Sequence, residues 1–87
     1  LGVGIQNLTE ELAQSFQFDG TEGALVGSVS EKSPAYKAGF EQGDIITKFG
    51  KTKIVDVNQL RNLVAATNPG EKIDVDIVRA GKSKTLT

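Results

Sequence analysis

With 87 residues the chain has room for one domain and too few for two. A hydrophobic fraction of 38%, a charged fraction of 24% and a net charge of −1 suit an ordinary globular protein and give nucleic-acid binding no electrostatic support. Cysteine and histidine are both absent, so no disulfide can form, no Ser-His-Asp or Cys-His machine can be built, and zinc has none of its usual ligands.

In chain order, Val3 to Gln6 reads as a short strand. Leu8, Leu12 and Phe16 then recur at four-residue spacing, the stripe of an amphipathic helix, with Thr9 as N-cap and Glu10 and Glu11 at the positive end of its dipole. Asp19-Gly20 and Gly23 mark a loop, and Ala24 to Val29 is a second strand weakened by Gly27. Ser33-Pro34 opens a very short helix that Gly39 stops. After a turn at Gly43-Asp44, Ile45 to Phe49 is a strand, Gly50-Lys51 suits a type II′ turn, and Ile54 resumes extended structure.

Asp56 followed by Gln59 has the form of a capping box, and Val57, Leu60, Leu63 and Val64 give the stripe of a helix from Val57 to Thr67. Asn68-Pro69-Gly70 is expected to end it. Ile73, Val75 and Ile77 alternate with Asp74 and Asp76, the pattern of a strand with one buried face, and a turn at Ala80-Gly81 leads to a last strand around Thr85 to Thr87. Lys48, Lys51 and Lys53, and again Arg79, Lys82 and Lys84, form small basic clusters that read as solvated loops and strand edges. Five or six short strands with two substantial helices make the chain α+β. No apolar run approaches the roughly 18 residues of a membrane span. No leader precedes the first strand, and the start at Leu1 reads as an internal point of a longer chain.

Three segments combine into a candidate site. Leu1-Gly2-Val3-Gly4 runs directly into the first strand, and its glycines allow successive N–H groups to converge on an anion. Ser33-Pro34-Ala35 through Ala38-Gly39-Phe40, followed by Gly43-Asp44-Ile45-Ile46, couples a capped one-turn helix to a tight turn and a buried strand; it reads as scaffold that touches no ligand. The helix from Val57 can cover the sheet with one side and flank the first strand with another, leaving a groove for an extended peptide.

These residues together resemble a PDZ domain: SPAxxAGF and GDII, preceded by GALV and followed by a helix and an NPG turn. LGV followed by LTEELAQSF is similar, more narrowly, to the first PDZ domain of bacterial HtrA (Deg-type) serine proteases. The resemblance covers essentially the whole chain, residues 1–87, as a single PDZ domain cut from a longer protease chain. It implies a PDZ-like, five- to six-stranded, partly open antiparallel barrel or sandwich capped by two helices. The strand order is the circularly permuted bacterial one, with the carboxylate loop at the N-terminus and a closing strand at the C-terminus.

The resemblance also assigns roles. Leu1, Gly2 and Val3 match the loop whose backbone amides hold a peptide's terminal carboxylate. Val3, Gly4, Ile5 and Gln6 match the strand that pairs with the peptide, and Val64, with Leu60 or Arg61, matches the helix wall of the pocket for the last side chain. It implies no catalytic residue, metal or cofactor in the chain itself. The implied partners are C-terminal peptides or unfolded polypeptides, the protease domain and a second PDZ domain of the same chain; nucleic acid and membrane insertion are not among them. The implied place is the periplasm, and the implied work is to capture misfolded substrate for an HtrA-like serine endopeptidase or to regulate it. Many relatives carry an Asn-Gly turn after the GD strand, where this chain has Gly50-Lys51.

The alternatives within the class are the PDZ domain of a membrane-embedded zinc protease, of a tail-specific processing protease, or of an adaptor without protease activity. Outside it stand a Ser–Lys dyad using Ser28, Ser30 or Ser33, for which no spacing singles out a pair, and a hard-cation site at Asp74 and Asp76.

Overall fold

Strands with apolar side chains on both faces decide the architecture. In each of three strands, neighbouring residues point to opposite sides and both are covered. Leu25 and Ile45 join Leu8 and Ala13 in one core cluster, with Val78 packed against it, while Val26, Ile46 and Ile77 join Val57, Leu60 and Ile54 in another. A sheet buried on both faces needs a covering layer on each, and two helices supply them.

The computed structural model describes residues 2–18, 20–68 and 70–87. The order is β1 (Val3–Asn7), α1 (Glu10–Ser15), β2 (Ala24–Val29), α2 (Pro34–Ala38), β3 (Ile45–Phe49), β4 (Thr52–Lys53), α3 (Val57–Ala65), β5 (Val75–Arg79) and β6 (Lys82–Leu86). The strands form one antiparallel sheet in the order β1-β2-β3-β5-β6, with β4 paired to β3. The sheet does not close into a barrel, and its path ends at β1 on one side and β6 on the other. The first strand stands at an edge and the last closes the opposite side, as the expected strand order requires. The readings placed on Leu1, Asp19 and Pro69 lie outside the described residues.

The capping residues behave as their chemistry dictates. Thr9 Oγ1 accepts from the Leu12 N–H at 3.1 Å, Ser33 Oγ from the Tyr36 N–H at 3.2 Å, and Asp56 Oδ1 from the Gln59 N–H at 2.8 Å. The return bond of the box is displaced by one residue: Gln59 Oε1 accepts from the Val55 N–H at 2.7 Å, while its Nε2 donates to the Lys53 carbonyl at 2.9 Å. Gly50 has φ +61 and Lys51 is not among the positive-φ residues, which fits type II′ and excludes type I′.

Four readings are corrected. The third helix ends at Ala65, two residues before Thr67, because the Thr67 hydroxyl donates back to the Leu63 carbonyl at 2.9 Å and satisfies one of the last free acceptors from outside the helix. The last strand starts at Lys82, not near Thr85, because Ala80 (φ 52) and Gly81 (φ 80) both take the left-handed conformation of a type I′ turn, and pairing resumes at once with Arg79 opposite Lys82. Extended structure resumes earlier than Ile54, in β4 at Thr52–Lys53, and Ile54 is the buried core residue that follows it. Arg79 is no solvated strand-edge cation. Its Nε donates to Asp44 Oδ1 at 2.8 Å and its Nη2 to Asp44 Oδ2 at 2.8 Å and to the Gly39 carbonyl at 2.7 Å. Lys82 and Lys84 of the same cluster are exposed, as are Lys48, Lys51 and Lys53, the last paired with Glu22 at 2.9 Å.

Candidate functional site

Among the described residues, β1 pairs with the sheet through β2 alone, so its other side is a free edge. The backbone fixes what that edge presents. The Gly2 carbonyl accepts from the Ser30 N–H at 2.7 Å, toward β2. Gly2 and Val3 share a planar trans peptide unit, so the Val3 N–H points the opposite way, out of the sheet. Strand alternation puts the Ile5 backbone groups on the same side as those of Val3. The pairing with β2 slips between Gly4 and Ile5, where Gly4 faces Ser28 and Ile5 faces Val26, leaving Gly27 as the bulged residue.

Side chains of β1 and α3 meet on one apolar cluster. Val3 and Ile5 are half-buried and pack against the cluster under α3, whereas Gly4 and Gln6 are exposed. From α3, Leu63 and Val64 are half-buried against the same cluster. The two elements are tied at one end, where Asn7 Oδ1 accepts from the Val57 N–H at 2.9 Å. The side chain of β1's last residue thereby serves the first turn of α3 and holds strand and helix side by side.

Of the expected helix-wall residues, Val64 is half-buried against the same cluster as Val3 and Ile5, Arg61 is exposed, and Leu60 is a core residue at 3% exposure. Gly2, Val3, Gly4, Ile5 and Gln6 lie together along the edge, and Leu1 is outside the described residues. Leu63, Asn7 and Ser30 were not singled out for the site by sequence. Leu63 was legible as part of the helical stripe, but an Asn at a strand end and a Ser in a turn carry no signal of long-range bonding.

Three of the residues named for the alternative chemistries hydrogen-bond within the fold. Asp76 Oδ1 accepts from the Thr85 hydroxyl at 2.8 Å and Asp74 Oδ1 from the Thr87 hydroxyl at 2.9 Å. The Ser33 hydroxyl donates to the Ser30 carbonyl at 2.6 Å. Two shallow depressions, about 170 and 250 Å3, lie around Thr47, Lys53 and Ile54 and around Asp76, Lys84 and Thr85. Neither contains a residue of β1 or α3. No helix among the described residues is long and apolar enough to cross a membrane.

An open antiparallel sheet with a free, uncharged edge strand beside the apolar flank of an amphipathic helix is an architecture suited to the addition of an extended peptide strand. The family model for the PDZ domain matches residues 1–87, and the chain belongs to that family.

It is similar to the probable periplasmic serine endoprotease DegP-like of Rickettsia prowazekii (strain Madrid E), 44% identical over 86 residues that make up 99% of this chain and 17% of that protein. A second DegP-like relative, from Marinomonas sp. (strain MWYL1), is 41% identical over 87 residues, 19% of its length. The chain thus spans less than a fifth of these relatives. Among solved structures, the HtrA-type protease AlgW with decapeptide superposes with a TM-score of 0.88 at 37% identity, covering 99% of this chain and 26% of that one. The HtrA3 PDZ domain bound to a phage-derived ligand, at 23% identity and a TM-score of 0.84, shares the fold.

Proposed function

We propose that the chain is the peptide-binding PDZ domain of an HtrA-like periplasmic serine endopeptidase, and that it captures the free C-terminus of an unfolded or misfolded polypeptide. The observation that carries this reading is the free edge of β1, with the Val3 N–H turned outward beside half-buried Val3, Ile5, Leu63 and Val64. An extended peptide adds its backbone to that edge, as PDZ ligands do, and its terminal carboxylate meets the amides at Gly2 and Val3. Its last side chain sits toward Val64, with Leu60 beneath and Arg61 at the rim. The names of the relatives support the protease context and the periplasmic location, and the peptide in the AlgW structure supports a peptide ligand. The single domain of residues 1–87 holds no histidine or cysteine, so cleavage belongs to another part of the parent protein.

The test compares one apolar-ended peptide as free acid and as C-terminal amide, by fluorescence polarisation at matched salt. A carboxylate accepting backbone N–H bonds gains about 1.5–3 kcal/mol for each. The free acid is therefore expected to bind roughly 10- to 100-fold more tightly. Equal affinities would reduce the loop to a turn and leave internal segments of unfolded chains as the ligand.

A further inference from the structure

Gly2 is where the segment entering β1 meets the body of the molecule. A Cβ placed there would stand 2.2 Å from Ser33 Cβ and 2.6 Å from Ser33 Oγ, and the residue has φ +83, so only glycine fits. Ser33 is part of a short relay of hydrogen bonds. The Tyr36 N–H donates to Ser33 Oγ at 3.2 Å, the Ser33 hydroxyl donates to the Ser30 carbonyl at 2.6 Å, and the Ser30 N–H donates to the Gly2 carbonyl at 2.7 Å. The Ser33 N–H also donates to the Ser30 carbonyl, at 3.3 Å, across a tight turn in which Lys32 has φ +64. The relay ends on the planar unit whose other face carries the Val3 N–H.

We propose that Ser33 is a positioning residue for carboxylate recognition: from behind Gly2 it fixes the peptide plane that aims the Val3 N–H at the free edge, without touching the ligand. The proposal rests on the reading of that edge as a C-terminus-binding site. Hydrogen bonds prefer a donor angle above about 150° and weaken steeply below about 120°, so rotation of the Gly2–Val3 plane by some tens of degrees weakens the carboxylate bond. The ladder from Gln6 to Asn7 does not depend on that plane, because these residues pair with Leu25 and Ala24. Loss of the Ser33 hydroxyl therefore erodes selectivity for a free carboxylate while leaving the strand and its outward Ile5 amide in place for pairing.

The experiment titrates the acid and amide forms of one peptide against the wild-type chain, Ser33→Ala and Ser33→Thr. Ser33→Ala is expected to lower the acid-to-amide affinity ratio by about three- to tenfold, the effect of one weakened charge-assisted bond. Its affinity for the amide is expected to stay within about twofold, since strand pairing is untouched. Ser33→Thr, which keeps the hydroxyl, is expected to restore the ratio.

An unchanged ratio in Ser33→Ala overturns the proposal. Absence of acid preference in the wild type overturns the functional reading instead, and shows before any variant is made. Ser33 also caps α2, so amide exchange at Ser30 is followed in the peptide-free proteins as well, with the bond from the Gly43 N–H to the Val26 carbonyl as reference. Ser33→Ala is expected to lose protection at Ser30 and keep it at Gly43. Where Ser33→Ala does not fold, Ser33→Asp retains the cap acceptor, has no proton to give Ser30, and is expected to show the same loss. Protection retained at Ser30 in a folded variant overturns the proposal.

Discussion

Asp44 has no exposed surface, yet both its oxygens are satisfied: Oδ1 by Arg79 Nε, and Oδ2 by Arg79 Nη2 and the Glu41 N–H at 2.8 Å. The fork also reaches the Gly39 carbonyl and, at 3.2 Å, Glu41 Oε2, so one side chain of β5 clamps the end of α2 to the start of β3. The hydrogen bond to Asp44 raises the Arg79 pKa above the ordinary arginine value, against the opposing effect of burial. A cation whose pKa is raised on folding adds stability at every pH below its unfolded value and loses it only as pH climbs through the folded one. This contribution is therefore constant across neutral and mildly alkaline solution. Asp44→Ala leaves the guanidinium facing a vacated pocket, and is expected to cost about 3 kcal/mol, the low end for a broken buried pair because Arg79 keeps 23% side-chain exposure. Urea unfolding of the variant checks this, and a loss below about 1 kcal/mol would place the stability of this corner elsewhere. The Gly43-Asp44 pair was legible as a turn before a buried strand. Its partner, 35 residues away and inside an apparent basic cluster, was not, because single-sequence charge patterns do not reveal long-range pairing.

At the scale of elements, the helix starts and the buried strands were easier to read than the end of α3 or the extent of β6. Thr9, Ser33 and Asp56 declare helix starts through local side chain to backbone bonds, and the strands β2 and β3 declare themselves through apolar runs. The end of α3 depends on the Thr67 hydroxyl, a choice among several polar residues, and β6 is exposed at four of its five positions, so no hydrophobic alternation marks it. The β5–β6 hairpin also stores a local conflict. Ala80 occupies the left-handed region at φ 52, which costs an L-residue with a Cβ roughly 1–2 kcal/mol. Ala80→Asn keeps a side chain that tolerates this conformation, and is expected to stabilise the chain by about 0.5–1 kcal/mol, with the β5–β6 register unchanged. A thermal melt measures the gain; a lower Tm would mean that the Ala80 methyl makes packing contacts worth more than the backbone strain.

At the scale of the molecule, the sheet has two open edges of opposite character. β6 carries Lys82 and Lys84, exposed charges that discourage a second strand from pairing there. β1 carries Val3, Gly4, Ile5 and Gln6, with no charge, and stands next to the apolar flank of α3. The asymmetry predicts where a peptide adds. On binding, the outward amides of Val3 and Ile5 gain partners in the ligand backbone, whereas β6 gains none. Hydrogen exchange is therefore expected to slow at Val3 and Ile5 by at least about tenfold at saturating peptide, in step with the fraction bound, while the amides of Lys82 to Leu86 keep their rates. Protection appearing along β6 would move the binding edge to the other side of the sheet. Tight binding with no change at Val3 and Ile5 would mean that the ligand is held by side chains in the groove, without strand addition. Because both edges are read in the same sample, a general tightening of the fold cannot imitate the expected pattern.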